Sequence, residues 1–182
     1  MKFAYNPRKA GQAAAYMVRI SGGRIDAYAL IKLLYIADRK SLAERGRPIT
    51  TDCMVSMPLG PVLSRIYDEI KAPAEIQNEF WRDYLSEREE NQISLRRDSV
   101  PSDALSEYER RTIESIYREY GRLSFKDLKD FAHSLPEYTD PNGSSLPIDP
   151  TIILREAGWT DEEIQEARMS ANEELFLRAI CA

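Results

Sequence analysis

Apolar positions near the start of the chain recur at helical spacing. Ala10, Ala13, Ala14, Met17 and Val18 stand three or four apart and predict a helix from Pro7 to about Ile20. Asn6 suits its cap, Pro7 its first position, and Gly22-Gly23 breaks it. From Ala27 to Ala37 the chain is apolar nearly all round, which predicts a second helix buried on most sides, with Asp26 as its cap. That stretch is interrupted by Lys32, and it is too short and too polar to span a bilayer. Gly46 followed by Pro48 supplies the stop. Ile49 to Met57 is β-branched and sulfur-rich with no helical period, so a short strand is expected there. Pro58-Leu59-Gly60-Pro61 then reads as a turn, with Pro61 opening a helix from Val62 to Lys71.

The second half is patterned less evenly. Phe80, Trp81, Tyr84 and Leu85 predict a helical turn, and Glu87 to Glu90 a solvated loop tip. Ile93 to Arg97 alternates, predicting a strand that pairs with the first in a small antiparallel sheet. Ser102 and Ser106 are candidate caps for a helix ending at Gly121, whose buried stripe is Leu105, Ile113, Ile116, Tyr117 and Tyr120. Ser124 caps a shorter helix with Phe125, Leu128, Phe131 and Ala132, closed by Pro136. Residues 137 to 150 read as a long loop. A short helix from Thr151 to Ala157 and a last one to about Ile180, opened by the capping box Thr160 to Glu163, complete the chain. The expected architecture is mainly α (α+β): a single compact helical domain with a small antiparallel β element. Residues 1–150 form the body, and 151–182 are a helical extension packed on it.

Composition narrows the function more than the fold. The 182 residues are 43% hydrophobic and 30% charged, enough to bury a core. Met1 to Ala15 lacks the apolar segment of a secretory signal, so a soluble, cytoplasmic protein is expected. Cys53 and Cys181 show no paired spacing and are read as reduced thiols. The net charge of −5 argues against a membrane-surface or general nucleic-acid binder. It conceals a gradient, with 12 Lys+Arg against 6 Asp+Glu in residues 1–71 and 13 against 24 in residues 72–182. Such halves either neutralise each other across the fold or suit a charged partner or self-pairing. Arginine outnumbers lysine 18 to 7, a trait of protein interfaces.

Candidate chemistry is sparse. His133 is the only histidine, which removes metal sites built on two or three of them. A Cys53–His133 nucleophilic pair is formally open, but a thiol in an apolar strand packs as an inert small hydrophobe. His133 reads instead as a helix-end residue donating to carbonyls. No glycine pattern for a phosphate cradle and no metal-loop carboxylate spacing occurs, so neither cofactor nor metal is expected. Asp38 and Arg39 follow the buried helix directly; they are either paired inside or a surface pair where the helix emerges. Around Tyr120 to Ser124 a helix-turn-helix reading is weakened because Lys126 and Lys129 are offset by Asp127 and Asp130.

Several runs in one order resemble a known family. Lys32 to Arg39, Gly46-Arg47-Pro48-Ile49-Thr50, Met57 to Val62, Ile66-Tyr67-Asp68 and, further on, Leu105 to Gly121 and Leu128 to Tyr138 resemble the Panacea domain family, which includes SocA-like antitoxins and phage-associated GepA-like proteins. The likeness covers about residues 5 to 140. Leu59 stands where many members carry a histidine, and Tyr138 where a tryptophan is usual. The resemblance implies an antitoxin that binds an adjacently encoded toxin directly, without catalysis. The alternatives are a phage or prophage-encoded module binding a host protein and, third, a nucleic-acid-binding regulator; a homo-oligomer is also open. Asp38, Arg39, Pro58, Gly60, Pro61 and His133 are read as motif residues of structural role. Met57, Leu59, Arg65, Phe80, Trp81 and Tyr84 are the candidates for an exposed partner surface.

Overall fold

A computed structural model describes residues 1–180; Cys181, one of the two expected thiols, lies outside the described residues. The central element is helix α2 (Ala27–Arg45), capped by the Asp26 carboxylate, which accepts from the Ala29 N–H at 3.0 Å, and closed by Gly46 in the left-handed region. Its Leu30, Leu33, Leu34, Tyr35, Ala37 and Leu42 are all but inaccessible, as an all-round apolar pattern requires. Around it pack α1 (Pro7–Ile20), α3 (Ser64–Lys71), α5 (Glu107–Tyr120), α6 (Phe125–His133) and α7 (Pro150–Glu156). The short α4 (Glu79–Tyr84) lies on α1, and α8 (Asp161–Ile180) lies on α7. The fold is mainly helical with small antiparallel β elements, as the patterning predicts.

The caps read from the sequence explain where the helices begin. Asn6, Asn78, Ser106 and Ser124 each accept from the backbone N–H three residues on, and Ser106 with Glu109 forms a full capping box. Thr160 and Glu163 form a second at the start of α8. Buried alanines on α1 allow close approach, and Gln12 among them uses both ends of its amide, donating to Asp103 and accepting from the Ala104 N–H, each at 2.8 Å.

Strand pairing departs from expectation. The first strand is β1 (Arg24–Asp26), and β4 (Gln92–Ser94) pairs with it, Ile25 opposite Ile93, not with the 49–57 segment. That segment forms only β2 (Met54–Ser56), which sits between β3 (Val62–Leu63) and β5 (Leu146–Pro147). Pro61 therefore leads into a strand, and α3 begins at Ser64. The 137–150 stretch is likewise not all loop, since β5 crosses it. Strands of two or three residues carry too little periodicity to announce a partner; the partner is set by where the helices bring the chain together.

Residues 46–53 are held by buried carboxylates rather than by a strand ladder. Asp38 is fully buried, and it is not a surface pair with Arg39: it accepts from the Thr50 N–H at 2.9 Å and from the Thr50 hydroxyl. Asp52 accepts from the N–H groups of Cys53 at 2.7 Å and of Arg65 and Ile66 at 3.0 Å, capping α3 from a distant part of the chain. Burial pushes the Asp38 carboxyl up to about 7, against the opposing pull of the Thr50 hydrogen bonds. Cys53 precedes β2 and is exposed, so it is not the packed strand thiol expected from the sequence.

Candidate functional site: a groove under the Pro58–Pro61 turn

Tyr28, Lys32, Tyr35 and Arg39 stand four, three and four residues apart, so α2 aligns them on one face. All four are hydrogen-bond donors, and all four are used. Tyr28 donates to the Leu59 carbonyl at 3.0 Å and the Lys32 ammonium to the Pro61 carbonyl at 2.8 Å. Tyr35 donates to Glu137 at 2.8 Å, and Arg39 grips the same carboxylate with two nitrogens at 2.8 and 3.3 Å. One half of the row thus holds the turn at 58–61, and the other holds the segment after α6. A third link closes the set, because Tyr138 donates to the Met57 carbonyl at 3.3 Å.

Gly60 is required in this turn. Its φ is +94°, and a Cβ there would stand 3.0 Å from the Ala132 Cβ, 3.2 Å from Lys32 Nζ and 3.3 Å from His133 Cδ2. The His133 ring stacks on Tyr138 with centroids 4.5 Å apart. Its Nε2 is buried without a partner, so that nitrogen does not make the expected donation to a carbonyl.

The result is a groove of about 530 Å³ lined by apolar groups of α2 (Tyr28, Ile31), the turn (Met57, Leu59), Val62 and Tyr67, with Lys32 among them and Gly143 to Ser145 along one edge. Leu59 is 48% exposed on its rim, and Phe125, 53% exposed, lies against the Tyr28 ring at 4.3 Å. Burial lowers the Lys32 amine to about 7 and raises the Tyr28 phenol to about 12, the latter with help from the charge of Asp130.

The six residues expected on a partner surface fall in different places. Met57 and Leu59 belong to this groove. Phe80 and Tyr84 stack on each other at 4.6 Å in a second groove of about 520 Å³, whose other walls are mainly polar, Asn6, Arg8, Asn78, Glu79 and Asp83. Trp81 is 1% exposed and belongs to the core; in the short α4, Phe80 and Tyr84 are four apart and share a face, and Trp81 is turned away from it. Arg65 is exposed and lies over the Tyr5 ring at 4.4 Å. Sequence reasoning passed over Tyr28, Lys32, Tyr35 and Glu137. The signal was present, since a lysine in an all-round apolar helix has no solvated face to occupy.

Among the described residues no group of three or more His, Cys, Asp or Glu is placed to hold a metal ion, and no helix is long and apolar enough to cross a membrane. The donor row, the turn and the Glu137 segment lie almost wholly inside the stretch, residues 30–138, that matches one family profile, Antitoxin SocA-like, Panacea domain. The chain belongs to this family. Membership supports a general antitoxin or regulatory role. No curated protein and no solved structure matches the chain. Most of the groove's lining lies within the SocA-like match, with Leu59 on its rim, while Tyr28 and Gly143 to Ser145 lie outside it.

Proposed function

We propose that the protein is an antitoxin that neutralises a toxin encoded beside it by direct protein–protein contact, and that the groove under the Pro58–Pro61 turn receives that partner. The observation that supports this reading is the exposure of Leu59 and Phe125 around an apolar groove whose backbone is fixed from behind by the α2 donor row. Large apolar side chains held out on a rigid frame lose little conformational freedom on binding, which is the economy that hot spots use. The second groove, at Phe80, is the weaker candidate, because Glu79, Asp83 and Arg8 would have to be desolvated there.

Co-expression with the neighbouring gene product tests the reading. The wild-type chain is expected to co-purify with it and to rescue growth. Leu59→Asp combined with Phe125→Asp is expected to keep the unfolding midpoint while losing both, through a binding penalty of about 2 kcal/mol or more. No complex and no rescue by the wild type, or a complex indifferent to the double substitution, would contradict it.

A further inference from the structure

Lys32 and Arg39 lie two turns apart on the same face of α2, and the chain treats them differently. Arg39 is paired with the buried carboxylate of Glu137. Lys32 is 1% exposed, yet among the described residues no carboxylate forms an ion pair with it. Its ammonium has three donors, of which one is used on the Pro61 carbonyl; the Tyr28 ring stands 5.2 Å away. The fall of its basicity has burial as its cause, with no neighbouring charge to offset it. Keeping a buried lysine charged without a counter-ion is costly, and chains ordinarily supply one. Here the lysine sits in the wall of the groove with no carboxylate beside it. Gly60 lets the turn pack directly against this ammonium, since a Cβ there would stand 3.2 Å from Nζ.

We infer that the groove reads an acidic residue: an Asp or Glu side chain of the partner, flanked by an apolar one, enters the groove and supplies the carboxylate that Lys32 lacks. The flanking apolar side chain rests on Tyr28, Met57 and Tyr67. Binding would add charge-assisted hydrogen bonds from the two free ammonium donors, so the acid is discriminated from its amide by an unpaired charge as well as by attraction. This inference rests on the groove being the partner surface, but it concerns what chemistry the groove selects.

The full chain alone decides it. Nuclear magnetic resonance titration with acetyl-Phe-Leu-Glu-Leu-Phe-amide, with its Gln counterpart, and with the Gln peptide carrying a free C-terminal carboxylate compares the acid, the amide and a chain end. The Glu peptide is expected to bind about tenfold tighter than the Gln peptide and to shift the Leu59 and Gly60 amides. Lys32→Met, which removes the charge and keeps the length, should abolish the preference; the wild-type contrast stands even if that variant does not fold. Equal binding of the two blocked peptides, binding of neither, a preference for the free chain end, or a Glu preference that survives Lys32→Met overturns the inference. The fate of the toxin-binding reading is separate, because it is read from the Leu59→Asp, Phe125→Asp complex and uses no peptide.

Discussion

Gly60 is the residue on which the geometry of the turn depends. Its positive φ and the three atoms crowding its missing Cβ make Gly60→Ala destabilising by about 2 kcal/mol. Gly22→Ala, at a similar φ of +97° but with nothing within 4 Å, should cost about 1 kcal/mol. Denaturant midpoints of the two variants measure the difference; equal losses would mean that the crowding at Gly60 does not matter. Lys32 and Asp38 add a pH dependence of opposite signs. Asp38 is raised from 3.8 to about 7, so its contribution to stability is whole below the lower value and lost as pH rises through the upper one; Asp52, also raised by burial, acts in the same direction. Lys32 is lowered from 10.5 to about 7, so its contribution is whole above 10.5 and lost as pH falls toward 7. Together they place a local minimum of stability near neutrality. Asp38→Asn should flatten the acid arm of the curve and Lys32→Met the alkaline arm, as read from unfolding midpoints across that range. Superimposable curves for wild type and both variants would refute the assignment.

At the scale of elements, the α2 donor row explains how one helix organises two distant stretches of chain. Glu137, 3% exposed, is the knot: Tyr35 and Arg39 both depend on it. Glu137→Gln leaves the Arg39 charge without its counter-ion and is expected to cost about 3 kcal/mol in guanidinium unfolding. An unchanged midpoint would show that the 134–140 segment is held by other contacts. Helices were legible because caps and apolar spacing are local signals: Asn6, Ser106, Ser124 and Thr160 mark starts that the structure keeps. The sheets were not. β1 and β5 are Arg24-Ile25-Asp26 and Leu146-Pro147, too short for alternation to show, and their pairing depends on tertiary placement. Asp38 lay between two readings because burial of a charge at a helix's later turns depends on what packs over it, here the Thr50 loop.

For the molecule as a whole, the sequence pointed to the turn at Met57 to Pro61 but not to the groove beneath it. Seeing the groove requires knowing that α2, α3 and the stretch before β5 meet there, which no spacing records. Trp81 was misplaced for the converse reason: an aromatic cluster in sequence does not say which of its members faces in. The C-terminal helix is tied back to the body through Arg47 with Glu174 and through the Trp159 indole, which donates to the Ala43 carbonyl at 2.8 Å. These ties lie at the far end of α2 from Tyr28, so α8 is not needed to shape the groove. Whether the molecule works by receiving another protein under the Pro58–Pro61 turn is read from hydrogen exchange on the complex with the adjacently encoded protein. Slowed exchange at Met57, Leu59, Gly60 and the 143–145 edge is the expected result; exchange there unchanged, with protection confined to the Phe80 groove or to α8, would contradict the account.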